Sequence, residues 1–132
     1  MDKKKFNAEC YGIDPSDKAV AAARANGINA QQGTADTLPF DSQSTDVLIL
    51  GFCLYLCYSE DFFSIGHEAD RVLRSPGWLV IMDFHSRMAQ AKNYHHREGL
   101  NSYKIDYRKL FSWHTNYECI NHKIRLNGAA MN

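Results

Sequence analysis

Apolar and polar positions in the first quarter of the chain predict a strand, a helix and a second strand. A short apolar run at residues 10–13 ends at Asp14, and Ser16 is placed to cap a helix over residues 17–26. Residues 28–32 form the second predicted strand. The predicted inner side of the helix carries small apolar residues: Ala19, Val20, Ala22 and Ala23.

A second strand–helix–strand unit follows a loop of turn-forming residues at positions 33–45. Residues 46–51 are a continuous apolar run, which is typical of a central parallel strand covered on both faces. Residues 59–74 are predicted to be a helix, and a Pro-Gly turn at residues 76–77 leads into an apolar strand at residues 78–82. The apolar stripe of this helix comprises Phe62, Ile65, Ala69, Val72 and Leu73.

The last third of the chain has a looser pattern. Residues 85–104 are mostly polar, residues 106–112 are predicted to form a helical turn, and we expect residues 85–116 to be a lid or substrate region. Apolar and polar residues alternate over residues 117–126, which favours an antiparallel edge strand near the C-terminus. The pattern predicts one α/β domain over residues 1–132, with an open, mostly parallel sheet.

Composition indicates a folded protein that has no electrostatic attraction for nucleic acid or membrane surfaces. Hydrophobic residues make up 45% of the 132 residues, and 15 basic residues balance 15 acidic ones. The first residues are charged and lead into no apolar segment of the kind found in secretory signals. We therefore expect a soluble cytoplasmic protein, without nucleic-acid or membrane partners.

Cysteines and histidines raise the question of a metal site. The 4 cysteines include no CxxC pair and are expected to be buried, reduced thiols. A loose cluster of ligand types occurs near the C-terminus: His95, His96, His114, Cys119 and His122. Its spacing matches no zinc signature, so we expect no metal.

Four segments resemble motifs of the class I S-adenosylmethionine-dependent methyltransferases. Tyr-Gly-Ile-Asp-Pro-Ser at residues 11–16 resembles the family's second-strand motif, and the resemblance implies that Asp14 accepts hydrogen bonds from both ribose hydroxyls of the cofactor, S-adenosylmethionine. Independently, a carboxylate at the carboxyl end of a strand lies where open α/β sheets bind nucleotides. The alternative is that Asp14 is a charge favoured by the following helix N-terminus.

The loop at residues 33–40 is similar to the loop after the family's third strand. The resemblance implies that Asp36 accepts a hydrogen bond from the adenine amino group and that the backbone of Ala35 lies against the ring. As chemistry alone, Asp36 could instead bond its own backbone in an Asx-turn.

Two further segments extend the resemblance. Residues 45–56 resemble the fourth strand and its exit, which implies that Gly51 and Phe52 border the methionine part of the cofactor and the substrate opening. Residues 71–79 resemble the turn before the fifth strand, and this match supports the fold alone. The implied architecture is a Rossmann-like open sheet, entered at the family's second strand.

One departure from the family pattern concerns the cofactor. The family opens with a strand and a GxGxG loop, whereas the 8 glycines of this chain include no GxG pair. Missing that strand would leave apolar strand edges near residues 10–13 and 46–51, and unpaired edges invite a second chain. The two strands could pair directly within one chain, or a neighbouring chain could cover the gap. We expect the second arrangement, a homodimer, with or without exchange of strands.

The resemblance implies methyl transfer from S-adenosylmethionine to a small-molecule acceptor, with impairment expected from the missing glycine loop. Candidates to orient the acceptor or take its proton are His95, His96, Tyr103 and Asp106. An alternative from another class is a non-catalytic methyltransferase-like remnant that serves as a dimerising or binding module.

Overall fold

Three separate two-stranded sheets make up the sheet structure of this protein. The structure, a computed structural model, describes residues 7–94 and 101–124. Two of the sheets are parallel pairs and the third is antiparallel. The predicted α/β class, with mostly parallel pairing and an antiparallel component towards the C-terminus, is confirmed.

The first parallel pair joins β1 (Tyr11–Asp14) to β2 (Asn29–Gln32) across helix α1 (Asp17–Ala25). Ser16 caps α1, because its hydroxyl accepts a hydrogen bond from the backbone N–H of Ala19, the third residue of the helix. Gly27 follows the helix with a φ of +75°, a left-handed conformation that glycine adopts without steric cost. These boundaries agree with the predicted ones to within a residue.

Helix α1 is covered less completely than its apolar residues predict. Val20 is buried, but Ala19 and Ala22 are exposed and Ala23 is half-buried. The helix packs on a sheet of only two short strands, which is too narrow to cover the whole predicted inner side.

The second parallel pair joins β3 (Thr45–Gly51) to β4 (Leu73–Met82) across helix α2 (Phe62–Val72). The predicted start of α2 at Ser59 is instead a 3₁₀ turn, and the helix ends before the predicted position because residue 73 already pairs with β3. The predicted stripe is confirmed, since α2 buries Phe62, Ile65, Ala69 and Val72.

The predicted Pro-Gly turn lies inside β4 as a bulge. Pairing with β3 is interrupted over residues 74–77 and resumes at Trp78. Glycine is required at position 77, because a Cβ there would overlap the carbonyl oxygen of Arg74.

The expectation that β3 is a central strand covered on both faces is wrong. Among the residues that the structure describes, β3 pairs with β4 alone, and one face of this pair is uncovered. Five apolar side chains on that face, hereafter the open sheet face, are between 43% and 58% exposed: Val47, Ile49, Trp78, Val80 and Met82. They alternate with side chains that contact the core on the opposite face.

The hydrophobic core lies on the α2 side of the second pair. Its buried members come from β3, α2 and two 3₁₀ turns, Leu54–Leu56 and Tyr107–Leu110, with the residue after the second turn: Leu50, Leu54, Phe62, Ile65, Ala69, Tyr107 and Phe111. The second turn confirms the helical turn predicted over residues 106–112. No helix in the described ranges is long and apolar enough to cross a membrane.

The antiparallel strands are not where the alternating pattern predicts them. Strands β5 (Gln90–Asn93) and β6 (Asn101–Lys104) pair within the region expected to be a loop. Residues 117–124, predicted to be an edge strand, form no regular structure, and the predicted strand's last residues lie outside the described part. Tyr117, the first residue of this segment, packs on Phe111 through its side chain and takes no part in a strand.

Candidate functional site

Asp14 ends β1 at the carboxyl edge of the first parallel pair. Its Oδ1 accepts a hydrogen bond of 2.8 Å from the backbone N–H of Ser16, so the side chain helps to form the turn into α1. Its Oδ2 has no partner within the described residues, and the side chain is exposed. The carboxylate therefore combines the turn-forming role with a free acceptor oxygen that faces solvent.

The loop that carries Ala35 and Asp36 begins directly beside Asp14. The backbone N–H of Gly33 donates to the Asp14 carbonyl over 3.2 Å, and the next four residues form a turn closed between Thr34 and Thr37. Ala35 packs against the core. Asp36 is half-buried and makes no hydrogen bond within residues 7–94 and 101–124, so the Asx-turn alternative is not the conformation seen.

An ion pair on α2 holds the far end of this loop. Arg71 donates to the carbonyl oxygens of Phe40 at 2.8 Å and Leu38 at 2.9 Å, and Glu68 accepts from the Leu38 N–H at 2.7 Å. The two side chains also pair with each other, Nε to Oε1, at 2.6 Å. The hydrogen bond from Arg71 lowers the pKa of Glu68 to about 2.

Gly51 and Phe52 form the exit of β3. A Cβ at Gly51 would lie 3.9 Å from the Met82 side chain and 4.0 Å from that of Ile49, which are ordinary contact distances, so no close approach demands a glycine there. Phe52 has a φ of +51°, which is strained for an aromatic residue, while its N–H donates to the Met82 carbonyl at 2.7 Å. Its half-exposed ring contacts Phe84 edge-on at 5.7 Å between centroids. The exit thus presents an aromatic side chain to solvent from a constrained backbone.

Asp83, which the sequence marks only as the end of a strand, connects the exits of β3 and β4. Its Oδ2 accepts from the backbone N–H groups of Leu54 at 2.8 Å and Tyr55 at 3.3 Å, and its Oδ1 accepts from the Phe84 N–H at 2.7 Å. Burial raises its pKa, and the backbone hydrogen bonds partly oppose that increase. An acidic residue just after an apolar strand is the signal that could have indicated this role.

Two cysteines lie in the same exit but are poor nucleophiles. Burial raises the pKa of Cys53 to about 12 and that of Cys57 to about 11. All four cysteines are free thiols, as expected, although Cys119 is exposed and the other three are only partly buried.

Of the four residues predicted to orient the methyl acceptor or take its proton, the structure describes two. Tyr103 is half-buried on β6, and its carbonyl accepts from the Tyr107 hydroxyl. Asp106 is paired with Arg108, which lowers the pKa of Asp106 to about 2 and weakens it as a proton acceptor. His95 and His96 lie outside the described residues, so their role stays a prediction.

An open, apolar pocket lies beside Tyr103. It has a volume of about 440 Å³ and is lined by residues after β3 and by the β5–β6 pair: Ser59, Phe62, Ala89, Gln90, Ala91, Tyr103 and Ile105. Ser59 and Phe62 follow the carboxyl end of β3, and Ala89 follows β4, so the pocket is built from segments that leave the same pair.

Comparison with known proteins identifies relatives of this chain. A family model described as a methyltransferase domain matches residues 2–81. Rv2003c, an uncharacterized protein of Mycobacterium tuberculosis, is 32% identical over 71 residues, which cover 54% of this chain and 24% of that protein. The uncharacterized methyltransferase YcgJ of Bacillus subtilis is 29% identical over 86 residues, covering 59% and 33%. The chain spans about a quarter to a third of these relatives.

Solved structures show the same fold. The crystal structure of YcgJ has a TM-score of 0.52 at 27% identity and covers 59% of this chain and 36% of its own. A Thermotoga maritima S-adenosylmethionine-dependent methyltransferase, described as a possible histamine N-methyltransferase, has a TM-score of 0.51 at 24% identity and covers 60% and 37%. Because the family model covers more than half of the chain, the chain belongs to the methyltransferase domain family, with the Rossmann-like fold of class I S-adenosylmethionine-dependent methyltransferases.

Proposed function

We propose that this chain binds S-adenosylmethionine and takes part in methyl transfer to a small-molecule acceptor. The observation that carries the proposal is a pair of carboxylates, one on the last residue of β1 and one in the loop after β2. Within the described ranges, one exposed oxygen of Asp14 has no hydrogen-bond partner and Asp36 has no hydrogen-bond donor. Both follow parallel strands whose carboxyl ends meet at one edge. This is where the family resemblance expects the nucleoside.

The residues present fit one part of the cofactor better than the other. Asp14 and Asp36 supply acceptors for the ribose hydroxyls and the adenine amino group, and the Glu68–Arg71 pair fixes the loop that carries Asp36. The methionine part has no GxG backbone cradle in this sequence. Gly51 and Phe52 at the β3 exit would border it, so affinity is expected to rest mainly on the nucleoside.

When bound, the cofactor supplies an electrophilic methyl group on a sulfonium, and the protein's contribution is to orient the acceptor in line with it. The apolar pocket beside Tyr103 suits an acceptor with a hydrophobic body, since Phe62 and Ile105 line it. The Tyr103 hydroxyl is a candidate to orient the acceptor's nucleophilic atom. Free thiols favour a reducing compartment, and a cytoplasmic location is part of this proposal.

Calorimetry with S-adenosylhomocysteine tests cofactor binding. The Asp14→Asn variant should weaken binding about tenfold or more, because a hydrogen bond to a charged acceptor contributes roughly 1.5–3 kcal/mol. Asp17→Asn is the matched control: Asp17 is also exposed, lies three residues further on and begins α1. No heat with millimolar ligand, or an equal loss in both variants, would overturn the proposal.

The second candidate function is a non-catalytic binding or dimerising module. It is favoured by the absence of a GxG pair and by the open sheet face. Transfer of labelled methyl groups from S-adenosylmethionine to an acceptor library separates the two functions. Binding of S-adenosylhomocysteine without labelled product supports the module, whereas product that is lost in Asp14→Asn supports the enzyme.

A further inference from the structure

Three potential metal ligands meet at a place that sequence spacing does not reveal. The ligand atoms of His85, Asp106 and His122 all lie within 4.8 Å of one another. They are separated by 21 and 16 positions in the numbering of the chain, so no compact motif announces them. The loose cluster near the C-terminus contains His122 but neither His85 nor Asp106.

Separate segments bring the three side chains together. His85 follows β4 and forms a parallel bridge with Ile105, which places it beside the residue that precedes Asp106. Asp106 caps the 3₁₀ turn Tyr107–Leu110 through its bond with the Arg108 N–H at 3.2 Å. The ring of His122 packs edge-on against that of His85, with 5.2 Å between centroids.

The geometry points to a site for a divalent transition-metal ion, with Zn²⁺ the preferred occupant, held by His85, Asp106 and His122. Two imidazoles and one carboxylate are a donor set that suits Zn²⁺, Co²⁺ and Ni²⁺ better than Mg²⁺ or Ca²⁺. Metal bonds of about 2.1 Å in a tetrahedral arrangement place donor atoms about 3.4 Å apart, so rotations of half-buried and exposed side chains are enough to close the cluster.

Arg108 is the main competitor of the metal. Its Nε lies 2.8 Å from Oδ1 of Asp106 and its Nη2 lies 2.5 Å from Oδ2, so the guanidinium holds both carboxylate oxygens. Oδ1 also accepts from the Arg108 backbone N–H, so the second lone pair of Oδ2 is the one that remains for a metal within the described residues. The carboxylate is ionised at neutral pH, as a ligand must be. A metal on this carboxylate must share it with a positive charge or displace that charge.

Because Arg108 competes with the metal, its replacement and the replacement of a ligand should change metal affinity in opposite directions. Replacing Arg108 with Gln removes the competing charge and should strengthen metal binding several-fold, whereas replacing a ligand should weaken it. A cluster that is only a local hydrogen-bonded contact would show neither change. The 3₁₀ turn keeps its Asp106 cap in Arg108→Gln, because that bond uses the backbone N–H of residue 108.

The experiment is titration of the reduced, chelator-treated 132-residue chain with Zn²⁺ by calorimetry. We expect one ion per chain and a loss of at least about tenfold in affinity for His85→Gln, His122→Gln and Asp106→Asn. His67→Gln is a matched control because His67 is exposed on α2, and a double variant of His95 and His96 tests the remaining adjacent pair. Both controls should bind as the parent does.

Co²⁺ spectroscopy identifies the donor atoms. Ligation by nitrogen and oxygen gives visible bands without the near-ultraviolet charge transfer of a thiolate ligand. Cys119 interacts with Arg108, so a sulfur charge-transfer band would overturn the proposed ligand set. A parent dissociation constant above about 0.1 mM, or binding lost in the His95 and His96 double variant and kept in His85→Gln, would overturn the site itself.

Because the site contains none of the proposed cofactor-binding residues and its readout is metal binding, its test is independent of the test of cofactor binding. Circular dichroism of each variant establishes that the parent fold is retained. If Asp106→Asn unfolds, the His85→Gln and Arg108→Gln variants, with opposite expected effects on affinity, still decide the proposal.

Discussion

Asp83 and Glu68 are both partly buried carboxylates, yet their surroundings shift their pKa values in opposite directions. No cation contacts Asp83 among the described residues, and burial raises its pKa despite three backbone hydrogen bonds. Glu68 is bonded to the Arg71 guanidinium, which outweighs desolvation and lowers its pKa. Burial is the largest cause of the shift at Asp83, whereas the hydrogen bond from Arg71 is the largest cause at Glu68, so the fold favours opposite charge states at the two carboxyls.

The lowered pKa of Glu68 makes the folding stability of the protein depend on pH in the acid range. A carboxylate whose folded pKa is about 2, against an ordinary 4.5, contributes stability that is present above pH 4.5 and is lost as pH falls towards 2. Glu68→Gln should lower the melting temperature at neutral pH and flatten its decrease over this acid range. Thermal unfolding followed by circular dichroism measures both effects. Glu60→Gln, at an exposed position, should retain the parent slope, and a parent slope in Glu68→Gln would contradict the prediction.

At the scale of elements, the exits of β3 and β4 are joined by one side chain. Asp83 follows β4, and its Oδ2 accepts from the first two backbone N–H groups of the 3₁₀ turn Leu54–Leu56 after β3. That turn carries Leu54, which is fully buried in the core. The contact therefore couples the shape of the exit to the packing beneath it.

Asp83→Ala should destabilise the protein by roughly 1–3 kcal/mol, because three partly buried N–H groups lose their acceptor. Asp83→Asn keeps one amide oxygen as an acceptor and should cost less. Urea unfolding measures both variants. If the contacts of Asp83 also hold the Phe52 backbone in place, Asp83→Ala should weaken the binding of S-adenosylhomocysteine more than Asp83→Asn does. Equal stability of the parent and the alanine variant would contradict the role of Asp83.

Local patterns predicted α1, α2 and the parallel strands, because each has its own cap, stripe or apolar run. They did not predict β5 and β6, because both strands are rich in polar residues and every residue of β5 is exposed. They placed a strand at residues 117–126, but alternation specifies two faces and does not supply a pairing edge. At the candidate site, Asp14 and Asp36 follow strands visible in the sequence, whereas the meeting of His85 with Asp106 depends on tertiary contacts.

At the scale of the whole molecule, the two parallel pairs remain unjoined. Direct pairing of β1 with β3 would join the two pairs within one chain, and the structure shows no such ladder within the described ranges. The open sheet face adds exposed apolar surface to these free edges. Burying an exposed apolar side chain contributes about 1.5–3 kcal/mol, so covering this face would be a substantial gain for a small domain.

We propose that a second copy of the chain covers this face and its free edges. Light scattering at micromolar concentration should give twice the 15.1 kDa chain mass. Ile49→Lys, on the open sheet face, should shift the protein towards monomer. Phe63→Lys, at an exposed position on α2, is a control that should leave the dimer intact. A monomeric mass together with a cooperative thermal transition would show that the chain is stable alone.

The unjoined pairs also imply that the protein opens in parts. In residues 7–32 only Val20 and Ala30 are buried, whereas the second pair has the core behind it. Local unfolding of the first unit breaks no hydrogen bond of β3 or β4, so its amide hydrogens should exchange with deuterium faster. Mass spectrometry of peptides measures this difference, and uniform protection would contradict it. Because Asp14 belongs to the less protected unit, a ligand held by Asp14 binds only the closed fraction, and its apparent affinity reports how often that unit is folded.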